Sequence, residues 1–152
     1  MSDEEQKYFS LTEAERLRKD LEPVLIEAME ARRKLADAET ELAALAERIQ
    51  RSGGMIIPFE RTARLRLDRN QQEDAIRDAV DRIHSTGCLV KDLEMGLLDF
   101  PARLNDEDVF LCWKLGEEHI TYWHSVDEGF TGRKPIDDPD VGRTPPQGPR
   151  LQ

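Results

Sequence analysis

The side chains with the most chemistry to offer lie in the last third of the chain. His124 follows Trp123 and precedes Asp127 and Glu128. Asp99 interrupts an apolar run, Leu97-Leu98-Asp99-Phe100, and Asp92 and Glu94 stand just before it. An imidazole with carboxylates is a mixed donor set that suits zinc, iron or manganese. Asp99, His124 and Glu128 form one such set, with Asp92, Glu94, Cys112 and His119 as further donors. Against this, no two donors share a recognised spacing such as two histidines one helical turn apart. A lone histidine at a strand end is more often a hydrogen-bonded structural residue. No cofactor is therefore assigned, and a divalent metal is the alternative.

Two other constellations compete with plainer readings. Cys112 and His124 could pair as an activated nucleophile. Cys112, however, sits between Leu111 and Trp113, where a small buried hydrophobe is the commoner role. Arg133 follows a Gly129-x-x-Gly132 turn and could hold a carboxylate or phosphate. The plainer reading is an ion pair with Asp92 or Asp99 that pins the loop. Trp113 and Trp123 could stack a ligand, but a shared apolar cluster explains them as well. Asp92, Asp99, Trp113, Trp123, His124 and Arg133 are thus the ligand- or partner-binding candidates, and no catalytic residue is assigned. Arginines 61, 64, 66 and 69 read as a solvated face opposite acidic residues of an earlier helix. No phosphate-binding glycine loop and no dinucleotide fingerprint is present.

The element that must position all of this is a helix over residues 12–51. Its apolar residues recur at spacings of three and four without a miss: Ala14, Leu17, Leu21, Val24, Ala28, Ala31, Leu35, Ala38, Leu42, Leu45 and Ile49. That is a continuous seam about 60 Å long. Thr12 and Glu15 read as its capping box, Gly53 and Gly54 as its stop, and Pro23 as a kink. Ser52 to Pro58 is a loop whose Met55, Ile56 and Ile57 fold back over the helix tip. A second helix follows over residues 59–86, with a possible restart at Asn70 and a stop at Gly87. It is too short to cover the whole seam. The run Leu35, Leu42, Leu45 and Ile49 would then be open, and a homodimer is the simplest way to close it.

From Cys88 the pattern turns to short segments rich in aromatic and branched residues. They read as an antiparallel meander of three or four strands over residues 88–124. With tight turns centred near 106 and 117, one face holds Leu98, Phe100, Phe110, Cys112, Ile120, Tyr122 and His124. The other holds Leu97, Asp99, Leu111, Trp113, Leu115, Thr121 and Trp123. The first face is the better match for the helices. The fold class is α+β: a long helix packed on a second, then a small sheet. Residues 1–11 are an arm, 12–133 one domain, and 134–152 a proline-rich tail without structure of its own.

A net charge of -10 repels phosphate backbones and anionic lipid, which argues against nucleic acid or a membrane as main partner. No apolar run reaches membrane-spanning length. The acidic start, Met-Ser-Asp-Glu-Glu, is the opposite of a signal peptide. The two cysteines read as free thiols in a reducing cytoplasm.

The block GCLVKDLEMGLLDFPARL, then VFLCWKLGEE, ITYWH and GFTGRKP, is specific in its order. With the opening YFSLTEAERL it resembles a family of small bacterial proteins known only as a domain of unknown function, over about residues 8 to 135. The resemblance implies a soluble bacterial protein with a helical first half and this block second. It carries over no catalytic role. The function expected is a non-catalytic, helix-mediated oligomerising or partner-binding module, with an unidentified protein partner. The alternative is a small metal-dependent enzyme or metal-binding protein centred on His124 and Asp99.

Overall fold

Ser10 starts the long helix. Its side chain accepts the Glu13 backbone N–H at 3.0 Å, and the Glu13 carboxylate accepts the Ser10 N–H at 2.9 Å. This reciprocal box sits two residues before the expected Thr12–Glu15 pair, because Glu15 is used elsewhere: it accepts hydrogen bonds from Arg18 and from the Ile120 N–H. In the computed structural model, which describes residues 7–53 and 59–136, helix α1 spans Leu11–Arg51. It runs through Pro23 as one helix. Pro23 faces solvent, where a missing hydrogen bond is tolerated. Gly53, at φ +66, follows the last turn. The expected loop over the tip falls on residues 54–58, outside the described residues.

Helix α2 spans Phe59–His84 without a restart at Asn70. It is antiparallel to α1, since Arg61 pairs with Glu41 near one end and Arg82 with Glu27 near the other. Its inward face carries Ala75, Ile76, Ala79, Val80 and Ile83 as the spacing predicts. Gly87, at φ +97, turns the chain out of the helix. The seam of α1 is divided between two covers. Leu21, Val24, Leu25 and Ala28 join the core shared with the sheet. Further along, Leu45 is buried and Leu35, Leu42 and Ile49 are half-buried in the packing of α1 with α2. The run expected to stand open is therefore largely closed within one chain.

The sheet has five antiparallel strands in sequence order: β1 (Leu89–Asp92), β2 (Leu97–Leu104), β3 (Glu107–Lys114), β4 (Tyr122–Ser125) and β5 (Lys134–Pro135). The first four match the expected segments. β5 lies in what read as tail: Lys134 and Pro135 pair with β4, and the Ile136 N–H reaches the Thr121 carbonyl. Beyond Ile136 the expected tail, residues 137–152, lies outside the described residues.

The register differs from expectation by one residue, at one turn. Leu104 pairs with Glu107, so the β2–β3 turn holds just Asn105 and Asp106, at φ 53 and 68. Positive φ at both central residues is the type I′ hairpin, whose twist matches that of the strands. A centre between 105 and 106 rather than at 106 flips β3 and β4 together relative to β2. The β3–β4 register is as expected. Leu98, Phe100, Leu111 and Trp113 consequently share the helix-facing core. Asp99, Phe110, Cys112, Tyr122 and His124 share the opposite face.

Candidate metal centre

That flip assembles a site. Asp99 on β2 lies directly opposite Cys112 on β3, and Cys112 lies opposite Tyr122 on β4. One step along, Phe110 lies opposite His124. Asp99 and His124 therefore flank β3 from either side. They meet across it because the side chain between them is only a cysteine. His124 Nε2 is 3.2 Å from both Asp99 oxygens. Donor atoms of Asp99, Cys112 and His124 all lie within 4.8 Å of one another. Asp99 and Cys112 are each 1% exposed, as is His124.

The backbone sets the state of the imidazole. His124 Nδ1 is 2.8 Å from the Ser125 carbonyl oxygen. A carbonyl only accepts, so Nδ1 carries the proton. In the neutral ring, Nε2 then turns a lone pair towards a carboxylate, which also offers only lone pairs. Something positive must lie between them: a proton or a metal ion. Anchoring the second ring nitrogen on a backbone carbonyl is also how metal-bound histidines are oriented.

Burial dominates the electrostatics of the trio. Burial raises the Asp99 carboxyl above the usual carboxylate range, and the charge and hydrogen bond of His124 offset part of that rise. Burial, reinforced by the Asp99 charge, pushes the Cys112 thiol up to about 12. The buried Cys88 thiol is pushed higher still for the same two reasons. A divalent cation would reverse this, because thiolate, carboxylate and neutral imidazole together carry two negative charges. The same arrangement argues against the Cys112–His124 nucleophile. Both ring nitrogens have other partners, and without a cation burial disfavours the thiolate.

The remaining candidates disperse. Glu128 is not in the cluster; it binds Lys134 at 2.5 Å and the Ser125 N–H at 3.3 Å, and the Lys134 contact first of all lowers its carboxyl to about 2. Asp92 accepts the Met95 N–H and so closes the β1–β2 turn. Glu94 is exposed near Arg32, and His119 lies beside Glu15. Trp113 is buried among the helix-facing residues, its indole N–H donating to the Glu117 carbonyl. Trp123 packs on the margin of that core under Lys134. Arg133 pairs with neither Asp92 nor Asp99. It stacks on Tyr122 and Phe130 and binds Glu117 at 2.5 Å, which joins the loop after β3 to the segment before β5.

The sequence singles out Asp99, His124 and Cys112 as donors, but the expected register set both His124 and Cys112 on a different face from Asp99. The missed signal was the Asn105-Asp106 pair, a two-residue turn that by itself puts Asp99 opposite Cys112. The Ser125 carbonyl, a backbone group, left no mark in the sequence.

A two-helix arm, a five-stranded antiparallel sheet and a buried carboxylate–thiol–imidazole trio define an α+β protein with three potential donor side chains gathered in its sheet. The chain belongs to an uncharacterised conserved protein family, DUF2203, whose model matches residues 7–136. No curated protein and no solved structure matches it. Among the described residues, no helix is long and apolar enough to cross a membrane.

Proposed function

We propose that this is a metal-binding protein in which a zinc ion sits among Asp99, Cys112 and His124 and ties β2, β3 and β4 together. The reading rests on one observation: three donors from three neighbouring strands converge within 4.8 Å of one another. Thiolate and imidazole donors favour zinc over magnesium or calcium, and the three ligands neutralise its charge. Exposure of 1% at each donor shuts bulk solvent out of the trio, which fits a non-catalytic protein. Buried free thiols fit a reducing cytoplasm.

The competing arrangement holds the trio together with protons alone. Asp99 then donates to His124 Nε2, and the Cys112 thiol donates to Asp99. Metal analysis of the full chain, purified without chelator or histidine tag, separates the two. The expected result is one zinc per chain. After chelation, added cobalt should give a thiolate-to-cobalt absorption band that Cys112→Ser lacks. Protein that takes up neither zinc nor cobalt at neutral pH would overturn the metal reading in favour of the protonated trio.

A further inference from the structure

The helices cover one face of the sheet, that of Leu98, Phe100, Leu111 and Trp113. They cannot also cover the other face, yet Asp99, Cys112 and His124 are buried there. Part of this second cover is the segment that runs from the one-turn helix Phe130–Gly132 into β5. Lys134 pairs with Trp123 and lies over its ring, towards the helix side. Side chains alternate along extended backbone, so Arg133 points to the side of the trio. Its contacts agree. The guanidinium carbon is 4.0 Å from the centre of the Tyr122 ring and 4.6 Å from that of Phe130. Tyr122 is the strand neighbour of Cys112. Burial raises the Cys112 thiol, and the Arg133 charge works against that rise.

The backbone gives this segment a short hold: two paired residues in β5 and the Ile136 N–H on the Thr121 carbonyl. Arg133 adds a second hold. One Glu117 oxygen accepts an Arg133 N–H at 2.5 Å, and the other accepts the Lys114 backbone N–H at 2.9 Å. The carboxylate is thereby fixed to the end of β3, and it fixes the arginine in turn. The closed state also carries a cost. The Arg133 Nε–H is buried and has no hydrogen-bond partner, which water would supply once the segment lifts. Closure is held by the ion pair and the two rings against that pull.

We propose that Arg133 and Glu117 form a clasp over the trio that sets how fast a metal ion enters or leaves it. The cargo rests on the zinc reading above; the sealing of Cys112 does not. Loosening the clasp touches none of the three donors.

The two buried thiols of the full chain test the sealing, because they lie on opposite faces of the sheet. Cys112 belongs to the trio and Cys88 to the core shared with the helices. Alkylation of metal-free protein, with the two sites separated by peptide mass spectrometry, reads both at once. Glu117→Gln and Arg133→Met should each label Cys112 at least tenfold faster than the wild type while Cys88 keeps its wild-type rate. Arg133→Met removes a charge that favours the thiolate, so faster labelling there reports access rather than acidity. The double variant should be no faster than the faster single one, since both open the same clasp. Release of zinc to a chelator should quicken at least tenfold in the same variants. Cys112 and Cys88 accelerating together would overturn the clasp by showing general loosening, and so would an unchanged Cys112. Zinc that leaves at the wild-type rate while Cys112 labels quickly would overturn the control of metal exchange. Protein that never takes up metal would overturn the zinc reading, and the thiol comparison would still decide the sealing.

Discussion

Replacing His124 with alanine puts the largest single load on the buried trio. The substitution leaves Asp99, 1% exposed, without its imidazole partner and opens a void beside Phe110. Removing one member of a buried pair costs about 3–5 kcal/mol, which for a domain of this size lowers Tm by roughly 10–18 °C. The loss should also depend on pH. In the metal-free protein the folded Asp99 carboxyl titrates above its unfolded value. The native state then holds more protons than the unfolded state, so stability falls as pH rises from about 4 towards the folded value. His124 opposes that rise in the wild type. Without it the carboxyl moves higher still, so the variant's deficit must be larger at pH 7 than at pH 4.5. Urea denaturation of both proteins in chelator at the two pH values measures this. A cost below about 1 kcal/mol, or one of equal size at both pH values, would refute the argument that burial of Asp99 dominates the site.

Four further outcomes follow from particular contacts. Asp106→Gly should stabilise the protein by about 0.5–1 kcal/mol, because the turn then becomes Asn-Gly with its left-handed position filled by glycine; destabilisation would contradict the two-residue turn. Ser10→Ala should lower stability by about 1 kcal/mol through loss of the cap, read from the urea midpoint, whereas Thr12→Ala should change it little. In metal-free protein, alkylation of Cys112 should be no faster than global unfolding, since the thiol is buried and raised to about 12; rapid labelling under native conditions would contradict this. Glu128 should titrate near 2 by NMR and return towards the ordinary carboxylate range in Lys134→Ala.

Much of the architecture is written in local pattern. The three-four spacing from Ala14 to Ile49 marks one long helix whatever surrounds it, because periodicity is a property of the segment itself. Gly87 and the aromatic, branched segments after it mark the change from helix to strand in the same way. Asp99 and His124 stood out because a carboxylate within an apolar run and a histidine beside a tryptophan are costly to bury without a partner. What local pattern did not decide was which side chains meet. Strand side chains alternate, so one residue in the turn at Asn105 and Asp106 determines whether Asp99 shares a face with Cys112 and His124 or points away from them. β5 escaped notice because a two-residue strand beside proline has no periodicity to read. The cover over Leu35, Leu42 and Ile49 depended on how α2 and the sheet divide the length of α1 between them. Those are relations between distant segments, and only packing in three dimensions settles them.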